Sequence, residues 1–379
     1  MLLREQISTR QFLKNIIREY YRKKPLEEPS DLHKREIALE SLEDLAYIRH
    51  LSFPYMEALY NYILSTKTPL HLYYSSALYT HPSAPRMEDK LWEGSELLFD
   101  IDADKYPDCS IKYWICPDTG SVYSEKVEKC ERSIAPIEYT TVPWKCIERA
   151  WSDILKLVEI LREDFAFKNI RIFFSGNRGF HVKVTDSKAL LYDRDVRRAI
   201  AEYVSCSGLD PSRLFPSYRE DVIFTPEEYG LRKRVLKLAM KRNLAVRRAE
   251  YRGLRDIYIV KQGNIQELLS EACIDVDKSV TMDISRLSRF VGSLNMKAGL
   301  RVVELNVNQD ISKLSFRDFS PFKGAVKVKF LFTAKLPVLD TTIEASKEEV
   351  RKVNSYIAIY LISKGVAVPV DTSDFEVST

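Results

Sequence analysis

Residues 96–104 read ELLFDIDAD, and this alternation constrains the fold more than any other stretch of the chain. In a strand, successive side chains point to opposite faces. Leu97, Phe99 and Ile101 therefore share one face, and Leu98, Asp100, Asp102 and Asp104 the other. Carboxylates about 6–7 Å apart on one face repel unless a cation lies between them. Hard divalent ions fill that role, and two-metal sites for nucleotidyl transfer use such carboxylates. A DxD pair by itself equally suits a solvated strand end. An EF-hand loop needs Gly at its sixth position and Glu at its twelfth, where this chain has Lys105 and Ile111. A haloacid-dehalogenase-type phosphatase strand also ends in DxD, but no later Asp-Asp motif completes that pattern.

The surrounding pattern is mixed. STRQFLKNIIREYYRK carries Phe12, Ile16, Ile17 and Tyr20 at helical spacing, with Ser8 or Thr9 as cap. Residues 30–42 are polar and offer little core, 53–66 read as a helix, and 71–80 as a strand. Residues 148–168 are strongly amphipathic, and NIRIFFSGNRGFHVKV reads as strand, tight turn, strand. Strands are expected again at 279–284, 300–305 and 325–332, and a terminal helix over 348–365. No Gly-rich loop fits a Walker or dinucleotide pattern. The fold class is mixed α/β (α+β): a mixed β-sheet core flanked by helices, one catalytic domain over 1–379. Within it, 105–147 form a cysteine-bearing insertion and 187–275 a mainly helical subdomain.

Two further stretches carry chemistry. In SGNRGFHVKV, Gly176 and Gly179 permit a tight turn, and Ser175, Arg178 and His181 cluster at its tip, where the basic groups suit phosphate oxygens. In SVTMDISRLSRFVGSLNMKAGL, Asp283 ends an apolar run, and Arg286, Arg289 and Lys297 follow. An acid trailed by cations suits a site for metal and triphosphate together. Net charge is only +4, yet residues 232–255 hold ten Lys/Arg against one Glu. That stripe points to a polyanion, or to a solvated helix face.

Taken in order, LLFDIDAD, SGNRGFH and DISRLSRFVGSLNMKAGL resemble the catalytic small subunit of archaeal and eukaryotic DNA primase. The resemblance implies template-directed synthesis of short primers on single-stranded DNA from nucleoside triphosphates. It implies Asp100, Asp102 and Asp283 as ligands of Mg²⁺ or Mn²⁺. Ser175, Arg178, His181, Arg289 and Lys297 become contacts of the incoming nucleotide. Asn295 stands where many members have histidine, so its contact is carried by a neutral amide. Asp104 is an extra carboxylate outside the catalytic set. The implied partner is a large primase subunit, which in the family carries an iron–sulfur cluster. A primase-polymerase relative and a nucleic-acid-binding module with a dead site are the competing readings, and the intact aspartates oppose the second.

Archaeal members often carry a zinc knuckle after the DxD strand. Here Cys109, Cys116, Cys130 and Cys146 fall close together, but CPDTG and CERS each keep one member of a pair. Zinc held by these four, a Cys116–Cys130 disulfide, or loss of the site are the alternatives. Cys206 and Cys273 read as buried apolar residues. No segment reaches the roughly 18 apolar residues of a membrane span, and the charged N-terminus resembles no signal peptide. An intracellular, cytoplasmic protein is expected.

Overall fold

The acidic stretch forms a strand over Leu97–Asp102, and the alternation sorts its faces as expected. Leu97, Phe99 and Ile101 are buried, while Asp100 and Asp102 are half-buried. The computed structural model describes residues 2–378, with side chains over 8–378. The strand is the edge of a four-stranded sheet, ordered Val303–Leu305, Ile170–Phe174, Gly179–Val184, Leu97–Asp102. Its two middle strands are the hairpin expected around SGNRG.

The helix Trp144–Glu163 covers the apolar face of this sheet. Its buried Ile147, Ala150, Trp151, Ile154, Leu157, Val158 and Leu161 recur every three or four residues, the period of one helix face. They join Phe99, Ile101, Phe174, Phe180 and Val182 in the main core. Burying one Leu or Ile contributes about 1.5–3 kcal/mol. That packing fixes which way the strand faces and turns Asp100 and Asp102 away from the core.

A second four-stranded sheet runs Leu287–Arg289, Pro69–Ser75, Ile37–Ser41, Ala46–Leu51. Helices Leu2–Arg22 and Met56–Ser65 contribute to its own core, with Ile16, Tyr20, Ile37, Leu39, Leu59 and Ile63. Residues 30–42 thus do build core, against the sequence expectation. Arg35 and Glu36 disguise the stretch because both are buried in ion pairs. Arg35 meets Glu96 at 2.8 Å, and Glu36 meets Arg49 at 2.9 Å and Lys90 at 3.4 Å.

Other expectations change as well. Residues 187–275 hold more helix than strand, but they are not helical alone. They contain a sheet ordered Ser217–Tyr218, Asp221–Phe224, Leu254–Lys261, Ala245–Tyr251, packed by helices Gly230–Lys241 and Gln262–Ala272. The arginines of AVRRAEY hide a strand that pairs with the β-branched LRDIYIVK. SVTMDI is helical over Lys278–Met282, because the Asp277 carboxylate accepts the N–H groups of Ser279 and Val280 and starts a helix there. Residues 348–365 open as the strand Val350–Asn354 and are helical only over Ser355–Ser363, with strands Ala367–Asp371 and Phe375–Val377 beyond. Ser8 and Thr9 lie inside the first helix and do not cap it.

The strand pairings among the described residues are all antiparallel. The mixed α/β class, with helices flanking the sheets, holds. No helix among the described residues is long and apolar enough to cross a membrane.

Candidate active site

The hairpin strand Gly179–Val184 runs beside the acidic strand, with His181 opposite Asp100 and Gly179 opposite Asp102. His181 Nε2 lies 3.5 Å from Asp100 Oδ1. Arg178 stands 3.5 Å from Asp102 Oδ2 and 2.8 Å from Asp104 Oδ2. Close approach dictates the glycine: a Cβ on Gly179 would fall 2.4 Å from Asp102 Oδ1 and 2.5 Å from Ile101 O. Gly176 adopts φ +73°, a conformation that costs other residues strain. Ser175 closes the turn by donating its N–H to Gly179 O at 2.9 Å, while its Oγ accepts the Gly179 N–H at 3.3 Å.

These groups form one wall of a cleft of about 210 Å³. Tyr73, Arg286, Arg289 and Lys297 line it as well. Arg289 sits opposite Tyr73 in the second sheet, its guanidinium 4.9 Å from the ring centre and its Nη1 3.1 Å from His71 Nδ1. Burial, then the charges of Arg289 and Lys297, push His71 down to about 2, so the ring is neutral and accepts from Arg289. His181 is pushed down to about 3 by burial, reinforced by Arg289 and Lys183. It too acts as a neutral imidazole, a donor or acceptor and not a cation.

The acids respond in the opposite direction. Burial lifts Asp100 to about 6; Lys105 opposes this and Asp277 adds to it. Asp102 is raised by burial and by Asp100, against the pull of Arg178. Asp100 Oδ1 is buried with no hydrogen-bond partner. A buried polar oxygen normally finds one, and leaving it alone costs on the order of 1–3 kcal/mol. An oxygen-seeking divalent cation satisfies such an atom and reverses the carboxylate repulsion, so these residues fit the metal that the sequence implies.

Asp283 is not among the residues that line the cleft. Its Oδ1 accepts the Ser285 N–H at 2.9 Å and the Ser285 hydroxyl at 2.7 Å, and its charge acts on Tyr79 and Arg197. Asp277, six residues earlier, runs beside Asp100 through its backbone, and its charge adds to the rise of Asp100. Its N–H donates to Asp100 O at 3.1 Å. Burial opposes its ionisation, but the Ser279 hydroxyl and the Val280 N–H hold it below the usual range. A signal for it existed: IDVD over 274–277 alternates as FDID does, with Ile274 and Val276 buried.

Asn295 lines the cleft, yet its amide serves the backbone: Nδ2 donates to Ser175 O at 2.9 Å and Oδ1 accepts the Lys297 N–H at 3.2 Å. It braces the turn that presents Arg178. Asp104 lies past the strand in a short 3₁₀ turn, where it pairs with Arg178. His71, Tyr73 and Asn177 lie in or beside the cleft with no motif to mark them.

The four-cysteine zinc set is not assembled. Cys109 is bonded to Cys146 and Cys116 to Cys130, so none presents a thiolate. Asp118 lies near the second pair, but Cys109 and Cys146 do not join that group. The residues present do not fit a structural zinc. Cys206 and Cys273, read as isolated apolar residues, are also bonded to each other.

With this geometry in place, comparison with known proteins is informative. A family model described as DNA primase small subunit matches residues 138–307. The DNA primase small subunit of Staphylothermus marinus is 44% identical over 96% of this chain and 96% of its own length. Those of Sulfurisphaera tokodaii and Saccharolobus solfataricus are 36% and 35% identical, over 93% and 92% of this chain and 95% and 92% of their own lengths.

Proposed function

The chain belongs to the DNA primase small-subunit family, the catalytic subunit of the primer-synthesising nucleotidyltransferase of DNA replication, and from that premise we propose how its cleft works. Asp100, Asp102 and, as the order of the motifs implies, Asp283 hold divalent Mg²⁺ or Mn²⁺. The observation that carries this is the buried, partnerless Asp100 Oδ1 beside the Asp102 carboxylate. Bound there, such ions lower the pKa of a 3′-hydroxyl and offset the charge of the triphosphate and departing pyrophosphate.

The protein's own groups supply position and charge. Arg178, held at the turn by Asn295 and Ser175, faces the phosphates from one wall, with neutral His181 as a hydrogen-bonding group. Arg286, Arg289 and Lys297 face them from the other. Arg289 is kept in place by His71 and Tyr73. Fixed donors of this kind stabilise an in-line displacement because they need no reorganisation as charge develops. The template is single-stranded DNA, the substrates are nucleoside triphosphates, and the partner is a large primase subunit that supports initiation.

Incubation with a single-stranded template, nucleoside triphosphates and Mn²⁺ is expected to give template-complementary primers, with a large subunit raising the yield of new starts. No product with or without that subunit overturns the reading.

A further inference from the structure

Arg178 and Asn177 line not only the catalytic cleft but also a second, narrower hollow of about 20 Å³. Thr140, Thr141, Tyr360 and Lys364 complete much of its wall. We propose that this hollow, with room for about one water-sized group, receives a terminal phosphate oxygen of the incoming nucleotide and of the pyrophosphate that leaves, held by Lys364 and Arg178. The inference rests on the primase reading and extends it to a residue outside the three motifs and outside 138–307.

Four observations support it. Lys364 follows the helix Ser355–Ser363, whose C-terminal dipole favours a cation, yet no carboxylate lies within ion-pair distance of its ammonium among the described residues. Its side-chain contact is the Tyr360 ring, with Nζ 5.2 Å from the centre. Burial, with Arg178 and Lys297 adding repulsion, pulls it down to about 8, and only the exposed Glu138 acts the other way. Thr141 Oγ1 is buried in the same wall without a hydrogen bond of ordinary geometry.

An unmatched lysine beside an arginine and an unsatisfied hydroxyl suits an anion with several acceptor oxygens. The hollow is too narrow for a base or a sugar. Its shared wall with the cleft is Arg178, which in the free protein leans on Asp102 and Asp104. A nucleic-acid backbone needs an open groove, which this hollow is not. A single terminal oxygen of a triphosphate whose α-phosphate lies near Asp100 suits both the small space and the shared arginine.

The test is steady-state primer extension by the full chain with Mn²⁺, comparing wild type, Lys364→Gln and Lys364→Arg, with pyrophosphate as inhibitor. Lys364→Gln is expected to raise KM for the nucleotide about tenfold and to weaken pyrophosphate inhibition by a similar factor. kcat and the melting temperature should stay nearly unchanged, and Lys364→Arg should restore both constants. Wild-type KM and pyrophosphate inhibition in Lys364→Gln overturn the proposal while leaving the primase reading intact. So does a fall in kcat and melting temperature at unchanged KM, which marks a structural lysine. Failure of the wild type to extend any primer overturns the parent reading instead.

Discussion

Two concentrations of positive charge exist in this chain, and they are wired differently. In the stripe 232–255, Arg232 pairs with Glu228, Lys233 with Glu163, Arg234 with Asp164, Lys237 with Glu159, Arg242 with Glu267, and Arg247 with Asp256. Six of its ten cations are thus answered by carboxylates. Around the cleft and the hollow beside it, no carboxylate among the described residues pairs with Arg286, Arg289, Lys297 or Lys364, and the Asp100 Oδ1 on the opposite wall has no hydrogen-bond partner. Charge density along a sequence therefore misleads. What marks a ligand site is charge that the protein leaves unmatched at a cost in stability.

The largest effect that can break this contrast lies among the acids. Asp283→Asn is expected to lower primer synthesis by about a thousandfold, as Asp100→Ala should, because each removes a carboxylate from the proposed metal site. Asp277→Asn, whose carboxylate caps its own helix, should stay within about tenfold of wild type. Equal losses in the two Asn variants, measured as extension rates in Mn²⁺, would bring Asp277 into the site.

Next in size are the cations. Arg289→Ala should raise KM for the nucleotide by about 10–100-fold, the worth of one or two charge-assisted contacts. Lys237→Ala should leave KM unchanged, since its charge already meets Glu159 and Glu163. The stripe retains unpaired Arg248, Arg252 and Arg255 on the Ala245–Lys261 hairpin, with Arg252 3.6 Å from the Tyr218 ring centre. If template contact survives anywhere in the stripe, it is there. Replacing these three with alanine should flatten the log–log salt dependence of single-strand binding by about 0.7 per lost phosphate contact. Replacing Lys233 and Lys237 should leave that slope as it is, and the reverse pattern would overturn the distinction.

Period-two alternation and turn chemistry made the acidic strand, the SGNRG hairpin and the helix over them legible, because those signals are local. The backbone neighbour of Asp100 was not legible for a physical reason. Asp277 and Asp283 both follow apolar residues, and it is tertiary packing that sets the Asp277 N–H against Asp100 O while its carboxylate caps the next helix. Arg289 was found by motif, but His71 and Tyr73, which hold it, lie on a strand with no distinctive spacing. Lys364 is far along the chain and reaches Arg178 only through tertiary packing. The cysteines show the same limit, since spacing alone left metal and disulfide both open.

The smallest effect tests whether the unmatched charge carries a stability cost. Asp100 has a folded-state pKa of about 6 against an ordinary 3.8, so ionising it disfavours the fold. Its contribution is fully present below the ordinary value and lost as pH rises through about 6. With metal chelated, Asp100→Asn should therefore stabilise the protein by about 1–2 kcal/mol at pH 8, discounted because part of the carboxylate meets water. The gain should vanish below pH 4, where the wild-type group is protonated in both states. Adding Mg²⁺ should raise the melting temperature of the wild type and leave that of Asp100→Asn nearly fixed. In the stripe the sign reverses: Lys237→Ala should cost less than about 1 kcal/mol at any of these pH values, as exposed ion pairs do. A destabilised Asp100→Asn at pH 8 would mean that its carboxylate is satisfied within the protein, and the two basic regions would then no longer differ in kind.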